Sequence, residues 1–480
     1  MGDAVIAAGA AGPVGTASTV GTPGSSPVRL DAIVKAYDIR GLVGTQLTSD
    51  ATRAIGFAFG TFVANRSPAV VIAYDMRESS PELAGAFADG VTGAGLDVVM
   101  AGLASTDLLY FASGSLQLPG AMFPASHNPA RYNGIKLCLA GAVPISLDTG
   151  LAQVRDHAQA ILDGAAPELA PLAGTVTERT LLADYATYLR SLVDLSGIRP
   201  LHVVVDAGNG MAGYTVPAVF EGLPLRTEEL YFELDGSFPN HEANPLEPAN
   251  LVDLQRAVVA EGADLGLAFD GDADRCFVVD AAGQAVSPSI ITALVAAREL
   301  GKAPGSTIIY NLITSHTVPE VIREHGGQPV RTRVGHSFIK AEMARTNAVF
   351  GGEHSAHYYF RDFWFADTGM LAAMHVLAAL GEQPGTLAEL TATYRRYAAS
   401  GEINSRVDDQ AERVAAVLEA FSGRAASVDE LDGLTIDLAD GSWFNVRASN
   451  TEPLLRLNVE GPDEATMMAV RDEALAIIRG

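Results

Sequence analysis

The stretch V-V-I-A-Y-D, residues 70–75, decides the fold, because its β-branched run ends in a polar turn that leads into a helical segment. The stretches V-V-V-D at residues 203–206 and I-I-Y-N at residues 308–311 open two further segments of the same kind. In each segment a Gly-containing break precedes a second predicted strand, near residues 97–101, 227–233 and 329–334. Because the crossover helix returns the chain to the same end of a sheet, each segment predicts a parallel βαβ unit.

Three polar loops follow apolar runs, where predicted strands end. A-S-H-N-P at residues 125–129 follows L-P-G-A-M-F, and D-G-D-A-D-R at residues 270–275 follows D-L-G-L-A-F. G-H-S-F-I-K at residues 335–340 follows V-R-T-R-V. In parallel sheets, ligands bind at the carboxyl ends of strands, so these loops are predicted to carry the function.

The length of 480 residues exceeds what one hydrophobic core usually serves, which predicts several domains. A hydrophobic content of 48% and a charged content of 19% suit a soluble globular protein, and every apolar run is shorter than a membrane helix requires. The two cysteines, Cys138 and Cys276, stand far apart, which argues against a disulfide framework or a thiolate zinc site. The expected compartment is the cytoplasm.

The formal net charge of -25 would repel nucleic acid and acidic membrane surfaces, so neither is expected as a partner. The same charge would repel a small phosphate ester at long range. A site for such a ligand would have to concentrate the few cations locally. The cations that stand in motif-like loops are Arg40, Lys136, Arg275, Lys340 and Arg447.

The predicted fold class is α/β, with three related mixed α/β domains built from βαβ units and a smaller C-terminal α+β domain. Residues 1–28 are rich in Gly, Ala, Ser, Thr and Pro and are interpreted as a flexible extension rather than a signal peptide. The domains that follow are predicted to carry the serine loop, the D-G-D-A-D-R loop, the G-G-E-H-S loop and the R-A-S-N-T-E-P loop. Their expected limits are residues 29–174, 175–284, 285–397 and 398–480.

The D-G-D-A-D-R loop presents three carboxylates, Asp270, Asp272 and Asp274, at alternate positions. On an extended segment they would point the same way. Hard oxygen ligands of this kind select Mg²⁺, which leaves coordination positions for water or a phosphate oxygen. The alternative is a solvated acidic turn, but this motif is rare and lacks the downstream glutamate of a calcium loop, so metal binding is predicted.

Ser126 in the A-S-H-N-P loop would by itself be an ordinary loop serine. His127 adds a polar ring beside it, and Lys136 follows at the end of Y-N-G-I-K. A serine exposed on such a turn becomes a nucleophile where one group takes its proton and another neutralises phosphoryl oxygens. A metal at the three aspartates would meet the second need.

Two further loops offer groups for a sugar phosphate. In G-G-E-H-S-A-H, residues 351–357, Glu353 and Ser355 suit hydrogen bonds to sugar hydroxyls, whereas the two histidines leave zinc as a minor alternative. In R-A-S-N-T-E-P, residues 447–453, an arginine and a backbone nest suit a phosphate dianion, and an ordinary polar hairpin is the alternative.

From K-A-Y-D-I-R-G at residues 35–41 to R-A-S-N-T-E-P, the ordered loops resemble the α-D-phosphohexomutase family, in its phosphomannomutase/phosphoglucomutase branch. The resemblance implies a heart-shaped, four-domain enzyme with its active site in a central cleft. It implies a phosphorylated Ser126 that, with Asp270, Asp272 and Asp274, holds one Mg²⁺.

The resemblance also assigns catalytic roles to Arg40, His127 and Lys136, which remain alternative candidates for the general base. Substrate contacts are implied for Tyr37, Arg275, His336, Lys340, Glu353, Ser355, His357, Arg447, Ser449, Asn450 and Thr451.

The implied reaction interconverts hexose 1-phosphate and hexose 6-phosphate through a hexose 1,6-bisphosphate that turns around in the cleft. N-L-I-T-S at residues 311–315 lacks the lysine that many relatives carry, and E-H-S-A-H replaces their E-M-S-G-H. These departures leave the choice between mannose and glucose open. Phosphoglucosamine mutase, a non-catalytic sugar-phosphate sensor and a metal-dependent phosphatase stay as alternatives. The expected partners are small hexose phosphates, and the expected state is a monomer or a weak homo-oligomer.

Overall fold

The computed structural model describes residues 28–448 and 454–480, which form four sheets with helices packed against them. The predicted extension therefore lies outside the described residues except for its last position. In the described part of the chain, no helix is both long and apolar enough to cross a membrane. Three sheets are mixed and the fourth is antiparallel, which confirms the predicted fold class.

The first sheet has the strand order β1-β5-β4-β2-β3-β7, with β6 beside β5. Its strands are β1 (Ile39–Leu42), β2 (Ala69–Tyr74), β3 (Asp97–Leu103), β4 (Gly120–Phe123), β5 (Tyr132–Leu139), β6 (Val143–Pro144) and β7 (Val176–Glu178). The helices of this domain are α1 (Ser49–Val63), α2 (Ser80–Gly93), α3 (Thr106–Leu116) and α4 (Leu151–Leu162). The predicted βαβ unit is confirmed, because β2 and β3 pair in parallel across α2.

The second sheet has the order β12-β11-β10-β8-β9, with β8 parallel to β9 and to β10. Its strands are β8 (Leu201–Asp206), β9 (Leu225–Leu230), β10 (Leu265–Phe269), β11 (Cys276–Asp280) and β12 (Ala285–Val286). The accompanying helices are α5 (Leu182–Leu192), α6 (Ala212–Phe220) and α7 (Val252–Glu261).

The third sheet has the order β14-β13-β15-β16-β17, with β13 parallel to β14 and to β15. Its strands are β13 (Thr307–Asn311), β14 (Gln328–Thr332), β15 (Phe350–Gly352), β16 (Tyr358–Phe360) and β17 (Ala366–Asp367). The accompanying helices are α8 (Pro288–Lys302), α9 (Thr317–Glu324), α10 (His336–Thr346), α11 (Gly369–Gly381) and α12 (Leu387–Thr391).

The fourth sheet is antiparallel throughout and has the order β18-β22-β21-β20-β19. Its strands are β18 (Ala398–Arg406), β19 (Ala425–Asp429), β20 (Leu434–Leu438), β21 (Trp443–Ala448) and β22 (Leu454–Gly461). The helices of this domain are α13 (Gln410–Ser422) and α14 (Glu464–Arg479). Two earlier sheets extend past the expected domain limits, since β7 pairs with β3 and β12 pairs with β11.

The central strand β2 is buried on both faces, as its unbroken apolar run requires. Val70, Val71, Ile72 and Ala73 are all fully buried. Parallel strands covered by helices on both sides need this composition, whereas a half-exposed strand would alternate apolar and polar residues. Because the middle of the strand has no room for polar side chains, those of this domain are expected at the strand ends.

The apolar core joins three domains and leaves the fourth separate. One cluster of buried side chains runs through the first three domains and includes Phe111 of α3, Val205 of β8 and Met370 of α11. The fourth domain packs its helices on its own sheet around residues such as Phe421 and Phe444. Polar contacts join it to the third domain, so its attachment depends less on apolar burial.

Backbone amides of the third domain donate to carboxylates of the fourth. The amide of Val334 donates to Asp432 Oδ2 over 3.1 Å, and the amide of His316 donates to Glu460 Oε2 over 2.9 Å. Both amides stand in loops that follow strands of the third sheet or open its helices. These contacts join the fourth domain to the third at loops that follow strands β13 and β14.

Helices α1 and α2 cross at glycines, which lets their backbones touch. A Cβ added to Gly56 would lie 2.2 Å from the carbonyl oxygen of Phe87, and one added to Gly90 would lie 2.1 Å from that of Arg53. Gly85, also in α2, has open space at the same position.

We expect Gly90→Ala to lower the free energy of unfolding by about 1–3 kcal/mol, because the added methyl overpacks the helix crossing. Gly85→Ala should raise it by about 0.4–1 kcal/mol, since alanine restricts the unfolded chain and meets nothing in the folded one. Urea unfolding of both variants beside the parent protein measures the difference. Equal effects of the two substitutions would contradict the close crossing.

Candidate active site

The serine loop connects β4 to β5 and holds Ser126 in a strained conformation. The φ angle of Ser126 is 46°, in the left-handed region that residues other than glycine rarely adopt. Its side chain is buried, and Oγ donates a hydrogen bond to Asp270 Oδ2 over 2.7 Å. Such strain persists only where surrounding contacts enforce it, and it concentrates at functional sites.

Arg77 supplies those contacts and was missed by the sequence reasoning. Its fully buried guanidinium donates to three backbone carbonyls of the serine loop, including Ser126 over 3.0 Å and Asn128 over 2.7 Å, and to the carbonyl of Tyr132 at the start of β5. Its Nε donates to Asp75 Oδ2 over 3.2 Å. Asp75 directly follows the buried parallel strand β2, so an arginine two positions after Asp75 was the available signal.

The D-G-D-A-D-R loop is a hairpin turn between β10 and β11, not an extended segment. Ala273 has a φ of 60°, and Phe269 pairs with Cys276 across the turn. The prediction that alternation on an extended segment aligns the carboxylates is therefore wrong. The turn itself makes them converge, with one oxygen of each carboxylate within 4.8 Å of the others.

A glycine allows the D-G-D-A-D-R loop, called the metal loop below because metal binding is predicted for it, to lie against the serine loop. A Cβ added to Gly271 would come within 2.5 Å of the carbonyl oxygen of Ser126. Any other residue at this position would push the two loops apart, and Asp270 would lose its hydrogen bond to Ser126. The glycine in D-G-D therefore allows the close approach of Ser126 to the carboxylates.

Two cations neutralise the buried carboxylates. Lys136 Nζ lies 2.8 Å from Asp272 Oδ2 and 2.7 Å from Asp274 Oδ2, and Arg275 Nη2 lies 2.9 Å from Asp270 Oδ2. Burial alone would lower the pKa of Lys136, but the two carboxylates outweigh it and raise that pKa well above its ordinary value. Burial raises the pKa of Asp270 well above its ordinary value despite Arg275.

The carboxylate cluster has the properties of a metal site. Asp272 Oδ1 and Asp274 Oδ1 are buried and have no hydrogen-bond partner. Burying an unpartnered carboxylate oxygen is costly, and a bound divalent cation would remove that cost. Three hard oxygen donors on one short turn suit such a cation. The residues present therefore fit a divalent metal ion.

His127 lies on the serine loop, and Arg40 of β1 contacts that loop. His127 Nδ1 is 3.1 Å from Ser126 Oγ and accepts a hydrogen bond from Arg275 Nη2 over 2.7 Å. Desolvation in the cleft, together with the charges of Arg275 and Arg40, holds the pKa of His127 below its ordinary value. Arg40 donates to Asp38 over 2.7 Å and also to the side chain of Asn128.

The G-G-E-H-S loop reaches the metal loop directly. The backbone of His357 forms an isolated β-bridge with Arg275, and His357 Nε2 lies 3.6 Å from Asp274 Oδ1. Ser355 Oγ lies 3.1 Å from both Glu353 Oε2 and His357 Nδ1. Glu353 also accepts a hydrogen bond from Tyr359 OH of the same domain over 2.5 Å. This network fixes the donors and acceptors that face the cleft.

The zinc alternative requires the two histidines of this loop to converge, and they do not. His354 Nδ1 lies 3.4 Å from Ser289 Oγ, on the side that faces α8. His357 instead faces Asp274 and Asp367, with Nε2 3.9 Å from Asp367 Oδ2.

His336 and Lys340 lie close to His357 of the G-G-E-H-S loop or to its neighbour Asp367, and Tyr37 packs against His336. The rings of Tyr37 and His336 lie 4.0 Å apart between centroids, across the first and third domains. Burial, followed by the charge of Lys340, lowers the pKa of His336 well below its ordinary value. Lys340 Nζ pairs with Asp367 Oδ1 over 2.6 Å and lies 4.1 Å from the centroid of the Tyr110 ring. The pairing with Asp367 was not predicted.

The fourth domain carries a pair of neighbouring arginines, of which only Arg447 was predicted from the sequence. Arg447 and Arg456 are directly opposite each other on β21 and β22, and each has a guanidinium nitrogen 3.4 Å from a carboxylate oxygen of Glu402. Arg456 Nε is buried without a partner. Alternation in L-L-R-L-N, residues 454–458, was the signal for Arg456. The other predicted residues of this loop lie outside the described residues: Ser449, Asn450 and Thr451.

Comparison with known proteins identifies the domains one by one. Family models for phosphoglucomutase/phosphomannomutase match the chain as α/β/α domain I, α/β/α domain II, α/β/α domain III and the C-terminal domain. The matched residues are 31–163, 183–283, 287–397 and 402–477.

Relatives and solved structures cover nearly the whole chain. The sequence is 40% identical over 450 residues to phosphohexose mutases of Xanthomonas campestris pv. campestris, covering 93% of this chain and 99% of the relative. It is 40% identical over 449 residues to the phosphomannomutase of Escherichia coli K12, covering 92% and 97%. A crystal structure of a phosphoglucomutase/phosphomannomutase family protein from Burkholderia thailandensis superposes with a TM-score of 0.84 at 33% identity, covering 94% and 98%.

All four domain matches fall on the four sheets and their helices, in the order that the family requires. The serine loop, the carboxylate cluster and the G-G-E-H-S loop meet within the first three matched domains. The chain therefore belongs to the phosphoglucomutase/phosphomannomutase family and is an isomerase of the phosphohexomutase type.

Proposed function

We propose that this enzyme interconverts the 1-phosphate and 6-phosphate of mannose and/or glucose through phosphorylated Ser126 and a hexose 1,6-bisphosphate. The observation that carries the proposal is the hydrogen bond from Ser126 Oγ to Asp270, one of three carboxylates that leave two buried oxygens unpartnered. A serine hydrogen-bonded to a carboxylate cluster that could hold a metal ion suits phosphoryl transfer better than binding alone.

Asp270, Asp272 and Asp274 would hold Mg²⁺ together with an oxygen at Ser126. Bound Mg²⁺ would neutralise negative charge on the transferred phosphoryl group. Arg275 adds to this neutralisation, because its Nη2 reaches within 3.5 Å of Ser126 Oγ. The protein thus gathers positive charge at one point of an otherwise acidic chain.

In the first half-reaction, the bond between phosphorus and Ser126 Oγ breaks and a bond to the free hydroxyl oxygen of the hexose monophosphate forms. The hydroxyl proton passes to a base, and Ser126 is left as an alcohol after it takes a proton. Reversal with the other phosphate of the bisphosphate restores phosphorylated Ser126. The two half-reactions balance, so no further reactant is consumed.

His127 is the candidate base, of the three, that is not held charged, and its Nδ1 must release the hydrogen bond from Arg275 Nη2 before it can take a proton. Its ring is held neutral by its surroundings and lies 3.1 Å from Ser126 Oγ. Lys136 is engaged by two carboxylates, which keep it charged. Arg40 retains its proton because a guanidinium is a very weak acid. Lys136 and Arg40 therefore suit charge neutralisation.

The far end of the substrate would be held by the third and fourth domains. Glu353 and Ser355 suit hydroxyls that the sugar presents in either orientation. Arg447 and Arg456 suit the phosphate that is not reacting, because guanidinium groups bind phosphate in a bidentate manner. This second phosphate site supports a mutase over a phosphatase, since hydrolysis does not require the far phosphate to be held.

Activity on three hexose 1-phosphates tests the proposal directly. With Mg²⁺ and glucose 1,6-bisphosphate supplied, we expect faster isomerisation of mannose 1-phosphate or glucose 1-phosphate than of glucosamine 1-phosphate. Ser126→Ala should reduce the rate by about a thousandfold or more, because the nucleophile is lost. Ser115→Ala, a substitution on α3, serves as the matched control and should retain activity.

The failures of this assay are informative. Inactivity on every hexose phosphate, with no phosphate on Ser126 by intact mass after incubation with the bisphosphate, would favour the sensor. Release of inorganic phosphate faster than isomerisation would favour the phosphatase. Preference for glucosamine 1-phosphate would favour the phosphoglucosamine mutase.

Arg456→Met tests the second phosphate site. Loss of charge-assisted hydrogen bonds, each worth about 1.5–3 kcal/mol, should raise KM for the hexose 1-phosphate roughly 10- to 100-fold. Steady-state kinetics measure the change. Arg471→Met, which removes an arginine that pairs with its neighbour Asp472 on α14, is the control. An unchanged KM in Arg456→Met would exclude Arg456 from the phosphate site.

A further inference from the structure

A turn between β3 and α3 of the first domain contacts the metal loop of the second domain. Ser105 caps α3 by accepting a hydrogen bond from the amide of Leu108 over 3.3 Å. Thr106 follows as the first helical residue, and its amide donates to the carbonyl oxygen of Asp272 over 3.0 Å. Amides at a helix N-terminus have no partner within the helix, so this one is free to hold a neighbouring domain.

The side chain of Thr106 makes a second contact with the same residue. Its Oγ1 donates to Asp272 Oδ2 over 2.7 Å, and Thr106 is fully buried. Lys136 Nζ occupies the same oxygen over 2.8 Å. Both contacts therefore fall on Oδ2, whereas Oδ1 has no partner.

This distribution fixes how the carboxylate is turned. With Oδ2 held from two sides, Asp272 cannot rotate its free oxygen away without breaking both bonds. Lys136 alone would hold it less firmly, because its ammonium also contacts Asp274 over 2.7 Å. Of the two donors, Lys136 is shared between Asp272 and Asp274, whereas the Thr106 hydroxyl donates to Asp272 alone.

The residue after Thr106 anchors the turn between three domains. Asp107 is buried and accepts hydrogen bonds from Ser105, from Tyr185 OH of α5 over 2.7 Å and from Thr368 Oγ1 over 2.7 Å. Thr368 in turn caps α11 of the third domain, where it accepts from an amide of the first helical turn. The turn is therefore fixed before any ligand arrives.

We propose that Thr106 is a positioning residue that orients Asp272 so that Oδ1 faces the metal. This inference rests on the proposed metal site of the mutase, and Thr106 acts through Asp272 without touching substrate. Removing a hydrogen bond to a metal ligand typically lowers metal affinity or activity by about 10- to 100-fold. Hydroxyl loss should consequently weaken metal binding more than sugar-phosphate binding.

The experiment compares Thr106→Val, which removes the hydroxyl and keeps the shape, with Thr106→Ser, which keeps the hydroxyl. Mn²⁺ binding to the purified, metal-free full-length protein is followed by electron paramagnetic resonance, with the Mg²⁺ concentration for half-maximal mutase activity measured beside it. Mn²⁺ is a suitable probe because it prefers the same carboxylate ligands. Thr391→Val is the matched control, because that buried hydroxyl donates to Leu387 O over 2.8 Å in α12.

We expect Thr106→Val to bind Mn²⁺ about tenfold more weakly and to need correspondingly more Mg²⁺, with KM for hexose phosphate within about twofold of the parent. Thr106→Ser and Thr391→Val should resemble the parent protein. Unchanged Mn²⁺ affinity in Thr106→Val would overturn the inference while leaving the mutase intact. A parent protein that binds no Mn²⁺ and isomerises nothing would instead overturn the proposed function.

Misfolding is kept apart from the proposed effect by the serine variant and by thermal unfolding. If Thr106→Val unfolds at a much lower temperature than the parent, Thr106→Ser decides. Weakened Mn²⁺ binding in a stable Thr106→Ser would contradict a role for the hydroxyl, because that variant retains it.

Discussion

Three carboxylates buried in one turn impose the constraint on which the active site depends. Like charges this close cannot share a water-poor interior unless cations stand beside them, because an unpaired buried charge costs several kcal/mol. Lys136 comes from β5 of the first domain, whereas Asp272 and Asp274 belong to the second. Neutralising the turn and docking the two domains are thus achieved by the same ion pairs. The chemistry cannot be assembled without the interface.

The fourth domain is joined to the rest of the protein in a different way. The first three domains share a continuous apolar core, but the fourth has its own core and meets the third through amide-to-carboxylate hydrogen bonds. Interfaces of this polar kind separate more readily than apolar ones. The serine loop and the carboxylate cluster therefore lie in domains that share an apolar core, whereas the arginine pair stands on a domain with a core of its own.

Much of the fold and of the site could be predicted because the signals were local. An apolar strand followed by a polar loop is contiguous in sequence, which is why residues 70–75 and D-G-D-A-D-R were informative. Arg77 and Thr106 were missed because their partners, Ser126 and Asp272, lie 49 and 166 residues away. The turn in the metal loop was missed because the positive φ of Ala273 has no sequence signal of its own.

Glu402 already provides the arginine pair with a carboxylate partner. Its carboxylate lies 3.4 Å from a nitrogen of Arg447 and 3.4 Å from a nitrogen of Arg456. A phosphate that enters between these arginines must displace one anion with another, so binding there is an exchange rather than a simple capture. Exchange lowers the net affinity for the far phosphate. In the proposed reaction, a hexose 1,6-bisphosphate that dissociates, reorients and binds again would benefit from a site that releases it easily.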